Sequence, residues 1–153
     1  MTARKPTALK VLHGTFRADR AADEPQYSAK APRPPASLSP GARVYWRELA
    51  ELLSGARVLT AGDRQSLALT CEALEQHRAA TVVMLEHGMT YTTINADGME
   101  MARPRPEVTI ADAAWKRAMR GLVEFGLTPA SRTKVAALPA PIDNPFDFFG
   151  DGR

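Results

Sequence analysis

Proline placement constrains this chain more than any other feature. A proline lacks the backbone N–H a helix needs and fixes its own φ, so helices form between prolines rather than through them. Twelve prolines occur in 153 residues, and they gather before Gly41 and after Phe125, with one further pair at Pro104 and Pro106. Continuous helical material is therefore expected between those clusters, broken once. A chain of this length makes one domain with a modest core.

Within the proline-poor windows the apolar spacing is helical. The first helix is predicted from Pro40 to Leu53, with Ser39 as N-cap, Pro40 as first residue and Gly55 as the stop. Tyr45, Leu49, Leu52 and Leu53 recur on its apolar face, and Arg43, Arg47 and Glu51 on its wet one. The second is predicted from Thr60, with Asp63 closing an acidic variant of the capping box, to about His87. Leu67, Cys71, Leu74, Thr81 and Leu85 mark its buried stripe. The first helix is too short to cover all of it, so Val82 and Met84 need another partner. Between Gly88 and Arg103 the period turns strand-like: Met89 to Ile94, a turn at Asn95-Ala96-Asp97-Gly98, and a return over Met99 to Ala102. A lone hairpin is marginal in water and should pack on a helix or on a neighbouring subunit. A third helix follows from Pro106 to Phe125, with Ala111, Trp115, Ala118, Leu122 and Phe125 as its stripe, returning antiparallel to the second. The fold class is thus mainly α: a helical hairpin or bundle core with a small β-hairpin and disordered N-terminal and C-terminal tails.

The ends differ in charge. Residues 1–34 hold seven Lys/Arg against three Asp/Glu, whereas the last fifteen come to −2, on a chain of net +3. Residues 1–36 are too poor in large apolar groups to repay ordering, apart from a short helix at Thr7 to Gly14, and end in a stiff Pro-rich linker. The chain divides into a basic tail and linker (1–36), a helical core with the hairpin (37–138) and an acidic-aromatic tail (139–153). One cysteine excludes an intrachain disulfide framework and suits a reducing cytoplasm. No apolar run is long enough for a membrane span, and the first thirty residues lack a signal-peptide core.

Catalytic patterns are missing. Gly121 and Gly126 have Walker spacing, but Leu127-Thr128 stands where Lys-Ser/Thr is required. His77 and His87 lie too far apart on one helix to share a metal, and Cys71 has no paired cysteine. Glu72 and Glu75 read as a solvated face rather than an acid–base pair. No cofactor is expected. The first two helices make a poor helix-turn-helix, since Asp63 beside Arg64 would open the recognition helix. Arg4, Lys5, Lys10, Arg17 and Arg20 can instead track DNA phosphates without reading bases. Arg132 and Lys134, on a last short helix after Pro129, suit either DNA or a neighbouring subunit's acidic face. Tyr91, Trp115 and Met119 are expected at an oligomer interface. The terminal Phe146, Asp147, Phe148 and Phe149 read either as a docking peptide or as a segment folded back on its own core.

Three segments, in order, carry a resemblance. They are Lys5-Pro6-Thr7-Ala8-Leu9-Lys10 with Gly14 to Arg20, the stop-and-start Gly126-Leu127-Thr128-Pro129 through Val135, and Asp143-Asn144-Pro145-Phe146-Asp147-Phe148-Phe149. Together they resemble the P27 family of bacteriophage terminase small subunits. That resemblance implies a noncatalytic subunit that assembles into a homo-oligomeric ring and binds double-stranded viral DNA in the bacterial host cytoplasm. It would bring that DNA to the large terminase subunit, which supplies the ATPase and nuclease. Arg105, between Pro104 and Pro106, departs from the histidine or other residue that many relatives place there. The alternatives are a small dimeric DNA-binding regulator and, more distantly, a structural head or adaptor protein.

Overall fold

The computed structural model describes residues 30–135, together with Gly14, Ser28 and Ala137. The fold is mainly α, as expected. Helix α1 spans Pro40–Gly55, a 3-10 turn at Ala61–Asp63 leads into α2 at Arg64–His87, and α3 spans Pro106–Glu124. Strands β1 (Thr90–Ile94) and β2 (Glu100–Pro104) pair antiparallel between α2 and α3, with Thr92 opposite Ala102. The expected disordered tails, the expected helix from Thr7 (but for its last residue, Gly14) and the acidic-aromatic segment lie outside the described residues.

Small residues let α2 and α3 approach closely. Ala111, Ala114 and Ala118 of α3 and Ala73 and Ala80 of α2 are all buried. At Gly121 an added Cβ would collide with Thr70. The Gly121–Gly126 spacing thus serves helix packing and helix ending, with no phosphate loop. Helix α1 then lies across the first half of α2 and forms the main core: Ala42, Trp46 and Leu53 meet Leu59, Leu67, Ala68, Cys71 and Phe125. Each large aliphatic side chain so covered contributes about 1.5–3 kcal/mol.

Both helix ends beside that core use the same backbone device. After α3, Gly126 takes φ +71, its N–H bonds the Val123 carbonyl, and the Leu127 N–H bonds the Leu122 carbonyl. This two-bond C-cap favours glycine at the left-handed position. After α1 the corresponding bonds run from Arg57 to Ser54 and from Val58 to Leu53. There the left-handed residue is Arg57, at φ +55. Gly55, expected to make the stop, is merely the last helical residue.

Three expected faces need correction. Leu52 and Leu85 are 55% and 81% exposed rather than buried. Leu85 sits beyond the reach of α1, so nothing in the described residues covers it. Trp115, placed in the buried stripe of α3, is 51% exposed. Ala114 takes the close-approach position instead, because the α2–α3 contact selects small residues over large ones. After Pro129 the expected short helix is a 3-10 turn, Arg132–Lys134.

Glu72 and Glu75 also depart from expectation. The Ser39 N–H and hydroxyl donate to the two Glu72 carboxylate oxygens at 2.7 and 2.9 Å. Ser39 Oγ in turn accepts from the Ala42 N–H. The acid on α2 thus holds the N-cap of α1, where the helix dipole favours negative charge. Glu75, packed against Gly41, also pairs with Arg78 at 3.6 Å. The Pro-rich segment is tied to the same region. Arg43 Nε donates to the Leu38 carbonyl, Arg64 Nε to the Arg33 carbonyl, and the Ala61 N–H to the Ser28 carbonyl.

Candidate interfaces

The α2–α3 pair has two unlike flanks, and helical geometry assigns residues to each. One flank carries a groove of about 840 Å³ with Leu69, Gln76, Arg117, Arg120, Glu124 and Phe125 among its walls. Arg117 Nη2 donates to Gln76 Oε1 at 2.7 Å across it. The acids Asp63 and Glu72 also border it, but their carboxylates accept from Thr60 and Ser39. The opposite flank is apolar. On α3 it presents Trp115, half-exposed, beside Met119 and Leu122, which are part-buried; on α2 it presents Leu85, with Val82 on the outer face. The antiparallel alignment, fixed by Thr70 against Gly121 and Gln76 against Arg117, sets Trp115 level with the middle of α2. Large apolar side chains are thus left exposed on one side of the helix pair.

The hairpin is a second exposed unit. Its strands bond each other, yet Met89, Tyr91, Ile94, Met99 and Met101 all remain exposed. No helix among the described residues covers it, leaving the neighbouring-subunit half of the expectation open. The turn is held by Asn95, whose Oδ1 accepts from the Asp97 and Met99 N–H groups, with Gly98 at φ +80. Its base is held by Arg105. The Arg105 N–H bonds the Met89 carbonyl, its Nε donates to the His87 carbonyl, and its guanidinium lies 6.0 Å from the Tyr91 ring centre. Arg105 thus ties the end of α2, the hairpin and the start of α3 together, a role its sequence neighbours gave no hint of beyond the flanking prolines.

Of the residues expected to act, Trp115 and Met119 share the apolar flank of α3, while Tyr91 stands apart on the hairpin. Arg132 and Lys134 are exposed together on the 3-10 turn. Arg4, Lys5, Lys10, Arg17 and Arg20 lie outside the described residues, as do Phe146, Asp147, Phe148 and Phe149. The groove was not anticipated, because its walls come from helix ends far apart in sequence. Cys71 is fully buried. Burial first, then the adjoining Glu72 carboxylate, pushes its thiol up to about 12. A thiol so covered and so weakly acidic is a core side chain rather than a nucleophile. Among the described residues no cluster of three or more His, Cys, Asp or Glu has metal-binding spacing, and no helix is long and apolar enough to cross a membrane.

Comparison with known proteins supplies the family. Neither the curated proteins nor the solved structures contain a match. A family model described as phage terminase, small subunit, matches residues 42–141, which takes in nearly all of α1, both later helices, the hairpin and the 3-10 turn. With that match covering nearly the whole helical body, the chain belongs to the family of phage terminase small subunits and has its role in phage packaging.

Proposed function

We propose that this chain, a P27-type member of its family, is the noncatalytic subunit that binds double-stranded viral DNA and delivers it to the large terminase subunit in the host cytoplasm. The family match over residues 42–141 carries this reading. Copies associate into a ring through the Trp115–Met119 flank, with Tyr91 on the hairpin contributing. Support comes from the exposed apolar groups on that flank and from a hairpin too small to leave uncovered. Residues 1–36 form a basic arm, 37–138 the assembling core and 139–153 the tail that engages the large subunit through Phe146, Asp147, Phe148 and Phe149. DNA is held by Arg4, Lys5, Lys10, Arg17 and Arg20, seconded by Arg132 and Lys134. These are phosphate contacts, so binding is salt-sensitive and only weakly sequence-selective.

The test is the salt dependence of duplex binding with and without residues 1–20. Each phosphate contact adds about −0.9 to the slope of log K against log salt, so removing the arm should flatten it by several such increments. An unchanged slope would move the DNA site to the folded body.

A further inference from the structure

We infer that the groove between α2 and α3 is the seat of the chain's own acidic-aromatic segment, residues 143–149. Four observations converge on that occupant. The groove is roomy, at about 840 Å³, and mixes apolar walls with charge. Leu69 faces it while 64% exposed, beside Phe125. Its acids Asp63 and Glu72 already have partners within the chain, whereas among the described residues Arg120 makes no salt bridge and Arg117 bonds only the neutral Gln76. Glu124 is the one remaining carboxylate among the described residues of its wall. A ligand that is apolar and anionic therefore suits it, and Phe146, Asp147, Phe148 and Phe149 have that composition.

The path of the chain delivers the segment there. Val135 lines the groove itself and also an adjoining hollow of about 550 Å³, which holds Leu52, Arg132 and Ala137. From Ala137 to Phe146 an extended chain spans about 30 Å. The α2 wall from Ser66 to Gln76 is only about 15 Å long. The segment thus reaches the groove of its own chain with slack to spare, and tethering gives it a high effective concentration there. Seating buries three phenylalanines. If the tail also engages the large subunit, a consequence that rests on the proposed function, the two sites compete for it and the groove holds the tail until that partner arrives.

Disulfide trapping in the full-length protein tests the seat without DNA or large subunit, so its outcome is independent of the packaging reading. Leu69→Cys and Phe148→Cys are combined in one chain. Leu52→Cys with Phe148→Cys serves as the control, because Leu52 is comparably exposed and lies in the hollow beside the tail's exit. Native Cys71 is buried and does not interfere. Under mild oxidation the Leu69 pair should close at least about tenfold faster than the Leu52 pair, as an intrachain product of monomer mass. Adding Arg117→Glu and Arg120→Glu should slow it, with helical circular dichroism unchanged. Equal rates at Leu52 and Leu69 would overturn the inference. So would indifference to the two arginines, or products that form only between chains, which would give the groove to a neighbouring copy's tail.

Discussion

Arg57 holds a backbone conformation that disfavours side chains. At φ +55 its Cβ crowds the following carbonyl, a strain of about 1–2 kcal/mol that glycine does not bear. Because the Arg57 side chain is exposed, its removal forfeits little packing. Arg57→Gly should therefore raise the unfolding free energy by about 0.5–1 kcal/mol, part of the relief being offset by the greater freedom of an unfolded glycine. A urea midpoint that fell would show that Arg57 makes a contact worth more than the strain. Cys71 gives a second residue-level expectation, in pH. Its folded-state thiol titrates near 12, against about 8.5 in an unfolded chain. Between those values the unfolded state releases a proton that the folded state keeps, so stability falls as pH rises through that window and is unaffected below it. Cys71→Ala should lack this component: the stability difference between the two proteins should be flat below about pH 8 and shift against the wild type above it. Parallel stability curves to high pH would contradict the burial.

At the scale of elements, helices were legible where punctuation was local. Ser39-Pro40, Thr60 with Asp63, Pro106 and Gly126 begin or end helices where their own chemistry requires, and Asn95 to Gly98 turns the hairpin. What stayed hidden depends on residues distant in sequence. Glu72 looked solvated because nothing near it in the chain reveals Ser39, thirty-three positions earlier. Trp115 looked buried because apolar periodicity cannot tell a covered stripe from an uncovered one, and the α2–α3 contact went to Ala111, Ala114 and Ala118. The groove was illegible for the same reason. The Ser39–Glu72 clamp offers its own test. Ser39→Ala removes the cap and should lower stability by about 1–2 kcal/mol. Glu72→Gln should also weaken the protein, and the double variant should lose less than the sum, since both changes break one interaction. Additive losses would mean that the two residues act separately.

For the molecule as a whole, the burial pattern is lopsided. Helix α1 covers the first half of α2, and α3 covers one side of its length. Among the described residues nothing covers the outer side of the second half of α2, the Trp115 flank or the hairpin. A second copy is the proposed cover, and it is the feature on which the packaging account rests. Since Trp115 is half-exposed within one chain, replacing it should alter assembly far more than the fold. The decisive measurement is the mass in solution, by sedimentation or light scattering at micromolar concentration, of the wild type and of Trp115→Glu. The account predicts a single closed assembly many times the 16.6 kDa chain mass for the wild type. It predicts much smaller species for the variant, with helical content retained. A monomeric wild type, or a Trp115→Glu protein of undiminished mass, would contradict it.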